Sequence, residues 1–199
     1  MEIIEGYHGT DYNNFQNIKN NNFVINYNRD QWLGKGVYFF IKDFNNPISD
    51  AENWAIAESW DNDNKIRKYD KYIVIKAEII KEDENKILDL RNNDGLKIFN
   101  YYRGLFINSL KENKLLAKRE SENIDEITDA VIFESMKEKL GIDIIINQTY
   151  IKFTTERVRN IKSLVPNTVI MSVSNIKIIK KESIIKIGDG FVPKKHSKI

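Results

Sequence analysis

Tyr7-His8-Gly9-Thr10 and, after a polar interval, Trp32-Leu33-Gly34-Lys35-Gly36-Val37-Tyr38-Phe39-Phe40 are the stretches that decide how this chain folds. The first closes a run from Glu2 to Tyr7 with strand character and sets a histidine beside a glycine. The second is a glycine-punctuated turn that feeds an aromatic strand, Val37 to Ile41. Between them Asp11 stands where a helix N-cap belongs, with Phe15 and Ile18 as a sparse apolar stripe. Asn20-Asn21-Asn22 ends that short helix, because asparagine competes for backbone hydrogen bonds. Residues 24–35 read as a loop.

Outward from this start, Ser49-Asp50-Ala51-Glu52 has the form of a capping box and opens a helix carrying Trp54, Ala55 and Ala57 as far as Trp60. Tyr72 to Ile80 is the clearest strand, followed by a charged turn and Ile87 to Leu90. Phe99, Tyr102, Phe106 and Leu110 fall at helical spacing between Leu96 and about Leu116. A second helix is expected from about Asp125 to Leu140, capped by Asn123 and ended by Gly141 as a left-handed C-cap. Ile142 to Ile146 reads as a strand, with a further one over Tyr150 to Phe153. Thr154 or Thr155 then caps a short basic helix, and Thr168 to Val173 and Ile176 to Ile179 form terminal strands. Strands dominate both ends and helices the middle, so the pattern predicts an α+β fold rather than a doubly wound parallel sheet. One domain is expected over residues 1–187, with a basic, flexible tail over 188–199.

Composition narrows the chemistry. At 199 residues the chain is long enough to bury a core without staples, and its lack of cysteine excludes disulfides, thiolate zinc sites and a thiol nucleophile. His8 and His196 are the only imidazoles, so no metal site is expected. A formal net charge of +2, from 31 basic and 29 acidic residues, gives no global pull toward nucleic acid. No apolar run approaches the length of a membrane span, and the start of the chain lacks the plan of a signal peptide. A cytoplasmic protein with no membrane partner is the expectation.

The two opening stretches together resemble the first two motifs of ADP-ribosyltransferases of the diphtheria-toxin and poly(ADP-ribose) polymerase type. The resemblance covers about residues 1–60. It implies a split antiparallel sheet with flanking helices and NAD as substrate. It assigns NAD contacts to His8, Gly9, Thr10, Gly36 and Tyr38, with His8 donating to a ribose hydroxyl and Tyr38 stacking on the nicotinamide ring. Gly9 would let main chain approach the carboxamide, because it has no Cβ. Trp54 resembles the second stacking residue, although Ala51 stands where relatives carry a serine. Arg29, in the loop before Trp32, is placed to meet the pyrophosphate.

The family also carries a glutamate on a late strand that stabilises the developing cation. Aligned on Ile176, that position falls on Asn167, which can hydrogen-bond but brings no charge. Glu134, on the apolar face of its predicted helix, and Glu156, ahead of the last strands, are the carboxylates that could replace it. Glu156 has a plainer explanation, as a first-turn glutamate complementing a helix dipole. Arg157, Arg159 and Lys162, with Lys177, Lys180 and Lys181, make either a solvated basic face or an acceptor-recognition patch.

The resemblance therefore implies an NAD-dependent mono-ADP-ribosyltransferase with catalytic candidates His8, Tyr38, Asn167 and Glu134. It would be a bacterial or phage toxin or defence effector that modifies a protein or nucleic-acid acceptor and is held in check by an antitoxin or immunity partner. NAD glycohydrolysis, an inactive NAD- or ADP-ribose-binding module, and a plain interaction domain are the alternatives that this reading leaves open.

Overall fold

The computed structural model describes residues 2–25, 31–61, 63–112 and 128–194. In chain order the elements are β1 (Glu2–Asp11), α1 (Phe15–Asn21), β2 (Val37–Ile41), α2 (Pro47–Glu58), β3 (Trp60–Asp61), β4 (Ile66–Arg67), β5 (Lys71–Lys81), β6 (Ile87–Asp89), α3 (Asn93–Glu112), α4 (Asp129–Leu140), β7 (Ile144–Thr149), α5 (Thr154–Arg159), β8 (Thr168–Val173) and β9 (Ile179–Phe191). Seven strands make one sheet in the order β6-β7-β8-β2-β1-β5-β9, and β3 and β4 form a separate ribbon. Only β6 and β7 run parallel within that sheet. The fold is α+β, as the order of strand and helix patterns predicts.

Both faces of the sheet are covered, which is why Ile144-Ile145-Ile146 and Val169-Ile170-Met171 are continuous apolar runs. Ile144, Ile146, Val169 and Met171 point to one face, with Phe39, Ile73, Ile75 and α1's Ile18. Ile145 and Ile170 point to the other, where Ala51 and Ala55 of α2, Phe99 of α3 and Ile132, Phe133 and Met136 of α4 cover them. Period-2 alternation thus assigns each strand residue to one of two cores.

Several boundaries differ from those read in the sequence, each for a local reason. β1 does not stop at Gly9; it pairs with β5 from Glu2↔Lys81 to Asp11↔Tyr72. α2 starts at Pro47 rather than at Ser49, because the Asn46 side chain accepts from the Ser49 amide and proline suits the first helical turn. Tyr150–Phe153 is not a strand, and Ile176–Ile178 is a 3-10 turn rather than a strand. Thr128 stands at the N-cap position of α4 without a side-chain cap hydrogen bond, and Gly141 ends the helix in the left-handed region; the expected cap at Asn123 lies outside the described residues. Where a flexible tail is expected from residue 188, the chain is still held in the sheet. Gly188 and Gly190 pair with Val74 and Tyr72 in the ladder, and Val192 is buried after donating to the Asp70 carbonyl.

The sheet splits in one place. β1 and β5 pair along their whole lengths, but β1 and β2 pair only at Gly6↔Ile41 and Tyr7↔Phe40. Beyond Tyr7 and Phe40 the two strands part, β1 staying with β5 and β2 with β8.

Candidate functional site

At that parting the His8 side chain takes over from the backbone. Two more steps of the register would set Gly9 opposite Tyr38. Instead, His8 Nδ1 lies 2.8 Å from the Tyr38 carbonyl. A carbonyl only accepts, so Nδ1 carries the proton and the neutral ring keeps an acceptor lone pair on Nε2. The imidazole is packed edge-on between Phe23 and Phe39, with centroids 5.2 and 6.0 Å away, and burial lowers its pKa below the usual histidine value. His8 is thus set to accept from a ligand hydroxyl, the reverse of the donor role that the sequence suggests.

Gly9 is glycine for a different reason from the one expected. A Cβ there would overlap the Ala51 carbonyl oxygen and press on the Ala55 methyl. The missing side chain lets α2 lie directly on β1, and this close approach accounts for Ala51 and Ala55 as well. It also brings Trp54, one residue before Ala55, to the edge of the parting.

The turn before β2 is gripped from α4. Gly34 has φ +70°, a conformation that favours glycine. Tyr38 Oη donates to the Gly34 carbonyl at 2.8 Å and accepts from the Leu33 amide at 2.7 Å. Glu134 accepts from the Lys35 amide, and Lys137 Nζ donates to the Leu33 and Lys35 carbonyls at 2.8 and 2.5 Å. Burial raises the Tyr38 pKa and pushes that of Lys137 down to about 8, the latter against the pull of Glu134. Glu134 and Lys137, three residues apart on one helical face, therefore act on main chain.

These pieces enclose a cleft of about 690 Å³ whose lining includes His8, Gly9, Thr10, Gly36, Tyr38 and Trp54. Six of the sequence-selected residues thus meet in one place. Trp32 also lines it, with its ring edge-on to Trp54 at 5.5 Å. Toward α1 the wall is Asn14, Asn17, Asn22 and Phe23. The volume is within the range of small-molecule sites.

Three other candidates stand elsewhere. Asn167 does not line the cleft; its Oδ1 accepts from the Ile151 amide at 2.8 Å and its Nδ2 donates to the Ile151 carbonyl at 3.0 Å. That amide fastens the 149–151 segment to the start of β8, outside the cleft lining. Glu134 stands behind the turn before β2, bound to its main chain. Glu156 lies in the first turn of α5, away from the cleft lining. Arg29 lies outside the described residues.

A carboxylate that the sequence reading passed over does line the cleft: Glu58, at the last position of α2. The signal was available, since Glu58 follows Trp54 by four residues and so shares its helical face. Arg157 Nη2 donates to Glu58 Oε1 at 2.8 Å, and the same guanidinium lies 5.2 Å from the Trp54 ring centroid. Of the basic residues noted in the sequence, Arg157 is therefore tied to the site, whereas Lys180 pairs with Glu78 on β5 at 2.7 Å. No group of three or more His, Asp or Glu placed to hold a metal occurs among the described residues, and none of their helices is long and apolar enough to cross a membrane.

Fold and site together define an α+β domain whose sheet parts between two strands to form an aromatic cleft lined, among the described residues, by one imidazole and one carboxylate. Comparison with protein-family models finds no matching family, and comparison with curated proteins finds no match.

Proposed function

We propose that the cleft binds NAD and that the protein is an NAD-dependent mono-ADP-ribosyltransferase with an ADP-ribosyltransferase-like core, acting as a toxin or defence effector on a macromolecular acceptor. The observation that carries this reading is the His8–Tyr38 link at the parting of β1 and β2, with Trp54 closing the same cleft. A dinucleotide glycoside needs what these residues offer. His8 Nε2 accepts from a ribose hydroxyl, Thr10 adds a hydroxyl beside it, and Tyr38, Trp32 and Trp54 give flat surfaces to the nicotinamide ring. The neutral amides of Asn14 and Asn17 lie toward α1, where they suit a heteroaromatic base.

A binding module without transferase activity is the second reading, favoured by the engagement of Asn167 with Ile151. Incubation with NAD labelled in its adenylate half, with and without lysate, separates the cases. Label in macromolecules supports transfer. Free ADP-ribose indicates hydrolysis, and calorimetric binding without either product indicates the binding module. Absence of NAD binding at millimolar concentration contradicts all three.

A further inference from the structure

Breaking the nicotinamide–ribose bond leaves positive charge on the ribosyl C1′ and its ring oxygen, and Asn167 is not placed to meet it. Among the described residues lining the cleft, Glu58 is the only carboxylate. Its position is built. Arg157 donates to Glu58 Oε1 at 2.8 Å through Nη2, to the Ala57 carbonyl at 3.2 Å through Nη1, and to the Lys152 carbonyl at 2.8 Å through Nε. With its face over Trp54, this guanidinium joins α5 to the end of α2 and fixes the carboxylate relative to the stacking ring. Lys68 approaches the other oxygen, Oε2, to 3.7 Å. Glu58 is part of the cleft lining, whereas Arg157 and Lys68 are not.

We propose that Glu58 is the catalytic carboxylate, contributed by helix α2 rather than by strand β8, and that Arg157 is its positioning residue. This inference rests on the NAD reading of the cleft. In the step, the C1′–nitrogen bond breaks and its electron pair stays on the ring nitrogen, so cationic pyridinium leaves as neutral nicotinamide. The ribosyl group carries the positive charge facing Glu58 until a lone pair of the acceptor forms the new bond to C1′ and the acceptor gives up a proton. A carboxylate near C1′ is worth more as charge moves there from the pyridinium nitrogen, so it lowers the barrier more than it tightens binding.

The test is a comparison of NAD affinity by calorimetry with the rate of nicotinamide release, on the full chain. Glu58→Gln keeps an oxygen for Arg157 and removes the charge. It is expected to bind NAD within about threefold of the parent while kcat falls about a hundredfold or more. Arg157→Met leaves the charge but frees it to move, and is expected to lower kcat about ten- to a hundredfold at similar affinity. Thermal melting checks that each variant is folded, and turnover by Arg157→Met at the parental rate overturns its positioning role. Turnover by Glu58→Gln at the parental rate, or equal loss of affinity and turnover, overturns the role of Glu58 and leaves the NAD reading standing. A parent protein that neither binds NAD nor releases nicotinamide overturns the NAD reading, and this inference with it.

Discussion

The cleft wall and the scaffold behind it use their polar side chains in opposite ways. On the β1 side, His8 makes one hydrogen bond within the protein, to the Tyr38 carbonyl, and its other nitrogen has no partner among the described residues. On the β8 side, Asn167 has both ends of its amide on Ile151, and Glu134 and Lys137 are bound to the turn before β2. The sequence offers His8, Asn167 and Glu134 as catalytic candidates. What separates them is position: His8 lines the cleft with one ring nitrogen left for a ligand, whereas Asn167 and Glu134 lie outside the cleft lining and bind main chain.

Gly9→Ala strikes at the contact that creates the β1 side and has the largest expected effect. The added methyl overlaps the Ala51 carbonyl oxygen, so α2 must shift, and Trp54 and Glu58 shift with it. Overpacking of this kind costs about 1–3 kcal/mol, and the displaced wall should abolish NAD binding; melting and calorimetry check the two parts. Asn167→Ala makes the opposite statement about the β8 side. It leaves the Ile151 amide and carbonyl without their partner and should lower stability by about 1–3 kcal/mol in denaturant melts. Nicotinamide release per folded molecule should be unchanged, because the residue stands outside the cleft.

A third effect is a dependence on pH. The ordinary value for Lys137 is 10.5, and burial brings it to about 8 in the folded protein. Between these values the unfolded chain holds more protons than the folded one, so stability from this group rises as pH goes from about 8 to 10.5. In Lys137→Met, which leaves the Leu33 and Lys35 carbonyls without their donor, that rise should disappear. Urea midpoints measured across this interval check it, and a parallel slope in both proteins would sever Lys137 from the effect.

How much of this was legible in the sequence depends on the range of each interaction. The β1–β2–α2 start was readable because strand alternation, the glycines and the placement of Trp54 are local patterns, and they brought six chosen residues into one cleft. The reason for Gly9 was not readable, since it lies in the crossing of α2 over β1. Glu134 was one of the candidate carboxylates because it stands on an apolar face, yet its partner is the Lys35 amide, ninety-nine positions away. Asn167 fell where the family's glutamate should be, but pairing with Ile151 depends on how the 149–151 segment returns beside β8. Glu58 shares a helical face with Trp54, which is local, but its anchor Arg157 is again ninety-nine residues distant. The strand through Gly188 and Gly190 was hidden because glycines at a sheet edge look like a loop until β5 is there to pair with them.

On the proposed function, the parting of β1 and β2, held by His8, must bind a nicotinamide dinucleotide. The most direct measurement is isothermal calorimetry of NAD against the parent protein and His8→Ala, with melting curves of both. The account predicts binding at one site in the parent and its loss, by about tenfold or more, in a folded His8→Ala protein whose buried imidazole acceptor is gone. No heat at millimolar NAD in the parent, or equal affinity in the two proteins, would contradict it.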